Sequence, residues 1–282
     1  MFKFEEYNYT AEENKTRLFS MLGESVSDQK ADILKIILSC IDLTTLEGTD
    51  TDERIISLCQ KAKSFRELAQ GLPNVAAVCF YPPFVRTAKK ELQGTGINVA
   101  SVAGAFPSGQ SPLNIRIQEV KFAIDEGADE IDMVISRGKY LEGNYNFIFD
   151  EIAAIKEACV NKHLKVILET GELQTIKNIR HASEIAINAG ADFLKTSTGK
   201  IQPAATEEGF LVMAETVKEY FDKTGKRIGL KPAGGISTPE QATNYYLIVK
   251  HIAGEDWLNN EYFRIGASRL TDMLVEQIIN NT

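Results

Sequence analysis

A chain of 282 residues, 44% hydrophobic and 25% charged, is long enough for one large domain or two smaller ones around a sizeable core. Its net charge of -8 excludes a general nucleic-acid binder and gives no attraction to anionic membranes. The expected partners are therefore small molecules, with no nucleic acid and no membrane, and an anionic substrate would need lysines gathered locally.

The four cysteines, Cys40, Cys59, Cys79 and Cys159, stand far apart in apolar segments, the pattern of reduced core thiols rather than of a zinc site or a disulfide framework. His163, His181 and His251 are scattered, which favours surface positions over a metal site. Met1 to Glu6 has no apolar leader core, and no apolar run approaches a membrane span. The expected compartment is the cytoplasm.

Residues 1–35 are polar and charged, with helical apolar spacing at Leu18, Met21 and Leu22 and again at Ile33, Ile36 and Ile37. They predict a helical extension ahead of a main domain over 36–282. From there short apolar runs, turns and longer amphipathic segments alternate. Strand candidates run over 40–43, 75–81, 97–102, 130–135, 164–169, 193–196, 227–232 and 263–266. Each is followed by a helical pattern, with Thr51 or Asp52, Pro82-Pro83, and Ser237 or Thr238 as starts. Eight strand and helix units without a low-complexity linker predict an α/β fold, a single (β/α)8 TIM barrel, with a doubly wound open sheet as the alternative.

In such a barrel the working residues sit at the C-terminal ends of the strands. Asp42, Asp132, Lys165, Lys195 and Lys231 fall on or near five of those ends. Alternation along Glu130-Ile131-Asp132-Met133-Val134 sets Asp132 on the face opposite Ile131 and Met133. Were all five to point inward, three lysines would face two aspartates, a sum that balances when one lysine is a free amine. Lys195 and Lys231 lie on adjacent strands. Amines about 4 Å apart at an effective dielectric near 20 repel by about 4 kcal/mol, or roughly three pKa units, which brings one of them to neutrality. Spacing alone does not say which lysine is the nucleophile. Asp132 is the natural proton handler, and Asp42 and Lys165 are its partners in a buried charge network.

Glycines cluster after the last three strands, in Gly199-Lys200, Ala233-Gly234-Gly235 and Gly266-Ala267-Ser268. Backbone N–H groups can approach an anion there, and barrels commonly bind phosphate at loops seven and eight. Neither a Walker A loop nor a dinucleotide fingerprint is present.

Six motifs stand in the order found in the class I deoxyribose-phosphate aldolases: Ile41-Asp42-Leu43-Thr44-Thr45-Leu46, Cys79-Phe80-Tyr81-Pro82, Asp129-Glu130-Ile131-Asp132, Leu168-Glu169-Thr170-Gly171-Glu172-Leu173, Phe193-Leu194-Lys195-Thr196-Ser197-Thr198-Gly199-Lys200 and Leu230-Lys231-Pro232-Ala233-Gly234-Gly235. The chain resembles that family over about residues 36 to 280. The resemblance implies a barrel that reversibly cleaves 2-deoxy-D-ribose 5-phosphate to D-glyceraldehyde 3-phosphate and acetaldehyde, in deoxyribose phosphate catabolism, without metal or organic cofactor. It implies that Lys195 is the Schiff-base lysine, Lys231 its neighbouring charge and Asp132 the acid-base residue. It also implies that Gly199, Lys200, Gly234, Gly235, Gly266 and Ser268 bind the substrate phosphate.

Three features depart from the family pattern. Arg269 follows Ser268 where a small hydroxyl residue is often found, and Asp42-Leu43-Thr44-Thr45 replaces the Asp-His-Thr of shorter members. The sequence closes on Asn281-Thr282 without the terminal tyrosine that some members use. Two other readings remain: a catalytically silent barrel that senses a sugar phosphate, and a Schiff-base aldolase of different carbon length, transaldolase-like. The sequence does not fix the oligomeric state; a homo-oligomer is compatible with it.

Overall fold

A computed structural model describes residues 1–24 and 30–280. Eight parallel strands form its centre: β1 (Ile41–Thr44), β2 (Ala77–Phe80), β3 (Asn98–Ala103), β4 (Glu130–Val134), β5 (His163–Ile167), β6 (Phe193–Lys195), β7 (Gly229–Lys231) and β8 (Ile265–Ala267). Sequential strands pair throughout, and β1 pairs with β8. Parallel bridges from Leu230 to Phe263 and from Ala233 to Gly266 join the remaining edge. The result is a (β/α)8 barrel, and the open sheet is set aside.

Helices follow the strands as the alternation predicts: α3 (Asp52–Leu68), α4 (Val85–Glu91), α5 (Leu113–Asp125), α6 (Arg137–Leu141), α7 (Tyr145–Ala158), α8 (Thr170–Leu173), α9 (Ile176–Asn188), α10 (Glu207–Thr224), α11 (Pro239–Ile252) and α12 (Leu270–Asn280). Threonine starts four of them. Thr51, Thr175, Thr206 and Thr238 each accept a hydrogen bond from the backbone N–H three residues on, satisfying a donor that the first helical turn leaves open. At Thr238 the side chain of Gln241 returns the bond, completing a capping box.

Ahead of the barrel come α1 (Ala11–Leu22), capped by Thr10 and Glu13, and α2 (Lys30–Ser39), which runs directly into β1. The extension is stitched to the barrel wall. Asn188 bonds both backbone groups of Phe2, and Arg17 and Tyr7 reach Glu215. Trp257, in a polar stretch of sequence, is buried against Phe221 and donates to the Ile228 carbonyl at 3.0 Å, sealing the entry to β7. No helix among the described residues is long and apolar enough to cross a membrane.

The barrel interior divides in two. Ala77, Cys79, Ala100 and Val102 of β2 and β3 make one side apolar, extended by Val134 and Ile167 at the ends of β4 and β5, whereas β1, β4 to β7 and the residue just ahead of β8 present charge. Small inward residues make room for the long side chains. A Cβ on Gly229 would lie 2.2 Å from the Phe193 ring, and one on Gly266 would lie 3.3 Å from Lys231 Cε.

Candidate active site

Lys195 and Lys231 are the last residues of β6 and β7 and pair across the sheet, so their side chains leave the same level of the barrel. Each donates to Asp132 Oδ2 at 2.7 Å. Asp132 faces inward from the middle of β4, and its Oδ1 accepts from Lys165 at 3.0 Å. Lys231 also bonds Asp42 Oδ2, and Lys165 bonds Glu130. The five residues expected to converge do so, and all are buried.

Two further charges complete the cluster. Arg264, just ahead of β8, donates to Asp42 Oδ1 at 2.7 Å and to both oxygens of Glu130, at 2.6 and 3.2 Å. The expected tally of three lysines against two aspartates therefore becomes four cations against three carboxylates, and the excess of one positive charge persists. The sequence held a signal for both: alternation places Glu130 on the face of Asp132 and Arg264 on the face of Gly266.

Electrostatics separates the lysines. Burial and the neighbouring charge of Lys231 hold Lys195 below the ordinary lysine range, although Asp132 opposes them. Burial acts the same way on Lys231, but Asp132 and Asp42 outweigh it and hold its ammonium firmly protonated. Lys165 is likewise held up, by Asp132, Glu130 and Asp42 against burial. Asp132 is pushed up by burial, yet the lysines around it, Lys165, Lys195 and Lys231, hold it well below the usual carboxylate range. Burial pushes the Cys79 thiol up to about 11, so it stays neutral.

Above the lysines opens a cavity of about 590 Å³, lined by Lys195 and by Gly199, Lys200, Gly234, Gly235, Gly266 and Ser268. All six expected phosphate positions thus face one space. Ser237, Arg54 and Arg269 line it too. Gly199 and Gly234 both have positive φ, and a Cβ on Gly234 would come within 2.7 Å of Ala204 Cβ, so the two loops meet as bare backbone. Lys200 reaches across the mouth to Glu47 at 3.1 Å.

Beneath this cup the loop after β6 is pinned by Glu169. Its carboxylate accepts from the Thr198 N–H at 3.1 Å and the Thr198 hydroxyl at 2.5 Å, and Arg137 donates to it at 3.2 Å. Glu169 adopts a left-handed backbone conformation, φ 56°, which no sequence pattern announced.

Comparison with known proteins fits this geometry. Residues 36–247 match the DeoC/LacD family aldolases. The chain belongs to that family. Among aldolase relatives, the human deoxyribose-phosphate aldolase is 45% identical over 263 residues, which covers 90% of this chain and 82% of the relative. Its mouse counterpart is 43% identical with the same coverage. A solved structure from Coccidioides immitis superposes with a TM-score of 0.73 at 28% identity, covering 96% of this chain and 98% of that one. The deoxyribose phosphate aldolase of Aeropyrum pernix, at 23% identity and a TM-score of 0.69 over 97% and 100% of the two chains, shares the aldolase fold. Asn281 and Thr282, the two residues on which the missing terminal tyrosine bears, lie outside the described residues.

Proposed function

We propose that this chain is a class I deoxyribose-phosphate aldolase, with Lys195 as nucleophile, Lys231 as the charge that keeps it free, Asp132 as acid-base residue, and Asp42 and Lys165 as partners of the charge network. The observation that carries the reading is the sharing of Asp132 Oδ2 by two buried lysines, of which Lys195 alone lines the cavity. The neutral Lys195 amine adds to the C1 aldehyde of open-chain 2-deoxy-D-ribose 5-phosphate and, with loss of water, gives a protonated imine. Asp132, acting with a water, removes the proton of the C3 hydroxyl. The C2–C3 electron pair moves toward the iminium, releasing glyceraldehyde 3-phosphate and leaving an enamine. A proton delivered to C2 restores the imine, and water cleaves it to acetaldehyde and the free lysine. The iminium is the electron sink, so the site must supply positioning and proton transfer rather than a cofactor.

Gly199, Lys200, Gly234, Gly235, Gly266 and Ser268 hold the phosphate in this reading, with the bare loops offering backbone N–H groups and Lys200 a point charge. The test is borohydride reduction in the presence of 2-deoxyribose 5-phosphate, followed by mass spectrometry of tryptic peptides. The expected result is a stable adduct on Lys195. An adduct on Lys231 would exchange the two lysine roles. Folded protein that binds the sugar phosphate without forming an adduct would leave a sensor in place of an enzyme.

A further inference from the structure

Arg264 does not line the cavity and makes no hydrogen bond to Lys195, Lys231 or Asp132 among the described residues, yet it lies buried inside the barrel with 3% of its surface exposed. A guanidinium does not give up its proton in a protein, so its charge is fixed where an amine's is not. The distribution of carboxylate oxygens shows what that charge does. Glu130 is taken by Arg264 and Lys165, and Asp42 by Arg264 on Oδ1 and Lys231 on Oδ2. Asp132 Oδ1 goes to Lys165. Lys165 and Lys231 thus each hold an oxygen to which no other amine donates a hydrogen bond, Lys165 approaching Asp42 Oδ2 only to 3.8 Å, whereas the single oxygen bonded by Lys195, Asp132 Oδ2, is shared with Lys231.

We infer that Arg264 is a positioning residue for the reacting amine: fixed on Asp42 and Glu130, it leaves the interior one cation in excess, and Lys195 is the group that discharges. The inference rests on the proposal that Lys195 is the nucleophile. Without Arg264, three ammonium groups would meet three carboxylates and nothing would require a neutral lysine.

The other groups facing this cluster do not alter the balance. β2 presents the neutral Cys79 thiol, and the Cys40 thiol just ahead of β1 is kept neutral by burial. β3 presents Ala100, Val102 and the uncharged Asn98 amide, which donates to Glu130 Oε1 at 2.9 Å, and the Phe193 ring of β6 lies 5.8 Å below both Lys165 and Arg264. Lys200, Arg54, Arg269 and Glu47 line the cavity nearer solvent, where water screens them more strongly.

The experiment is the pH profile of kcat/KM for 2-deoxyribose 5-phosphate cleavage in Arg264→Met, Glu130→Gln and the double variant. Arg264→Met removes the fixed charge, so Lys195 keeps its proton to higher pH. The acid limb is expected to rise by about one unit or more, a roughly tenfold loss at neutral pH that alkaline pH restores. Glu130→Gln removes a carboxylate and should move the limb the other way. The double variant restores the excess of one and should return the limb toward that of the unmodified chain. A limb that stays in place in either folded single variant, or two shifts of the same sign, overturns the inference. If Arg264→Met does not fold, Glu130→Gln alone decides: a lowered limb supports the inference and an unmoved or raised one overturns it. Borohydride labelling of Lys195 in the unmodified chain is the separate readout. Labelling with unmoved limbs sinks the role of Arg264 alone, and no labelling sinks the aldolase reading beneath it.

Discussion

Lys195 and Lys231 donate to one and the same oxygen, Asp132 Oδ2, each at 2.7 Å, which keeps the two nitrogens within about twice that distance of each other. One carboxylate oxygen inside a protein does not hold two full ammonium charges without cost, so the pair settles as one ammonium and one amine. Lys231, with Asp42 as a second anion, keeps the proton. In Lys231→Leu the repulsion on Lys195 disappears, its pKa rises, and the free-amine fraction at neutral pH falls. The expected loss in kcat/KM at pH 7 is about a hundredfold or more, as two pKa units imply, with recovery as pH rises. The pH profile of folded Lys231→Leu checks this, and normal turnover at neutral pH would remove the pairing argument.

Asp132→Asn separates imine formation from bond cleavage. The substitution removes a negative charge from the three lysines that Asp132 bonds, so Lys195 loses its one bonded anion and stays neutral. Borohydride adduct formation on Lys195 should persist, while turnover falls by about 10²–10⁴, the range for loss of a general acid-base group. An Asp132→Asn variant with near-normal turnover would move the proton transfer to another group.

The barrel was legible because it is written locally. Apolar runs such as Ala77 to Phe80 alternate with threonine-capped amphipathic segments, and each signal needs only its own dozen residues. The catalytic cluster was half legible. Lys195 and Lys231 stand at strand ends and Asp132 sits two residues short of one, but Glu130 and Arg264 lie deeper, where the strand-end rule does not look and only alternation along β4 and ahead of β8 would have exposed them. The missed pair left the sign of the charge imbalance intact. The clamp of Glu169 on Thr198 depended on a left-handed turn at Glu169 and on register across β5 and β6, neither of which a linear pattern encodes.

Gly234 carries the phosphate cup in the proposed function, and its substitution has a built-in control. Gly234 has φ 88°, and a Cβ there would lie 2.7 Å from Ala204 Cβ and 3.0 Å from Gly199 Cα, pushing the two loops apart. Gly234→Ala should raise KM for the phosphorylated substrate about tenfold, the equivalent of about 1.4 kcal/mol of lost binding, and leave KM for unphosphorylated deoxyribose nearly unchanged. It should also cost about 1–3 kcal/mol of stability from backbone strain. Gly254 has a comparable φ of 96° with nothing within 4 Å of its Cβ position, and it lies outside the cavity lining. Gly254, at φ 96° and ψ 171°, is in a conformation essentially reserved to glycine, so Gly254→Ala meets backbone strain without disturbing the cup, and thermal melts should show lowered stability with an unaltered KM. Equal KM increases in the two variants would mean that the loss at Gly234 reflects general destabilisation, and equal KM increases for phosphorylated and unphosphorylated substrates would remove phosphate from the cup.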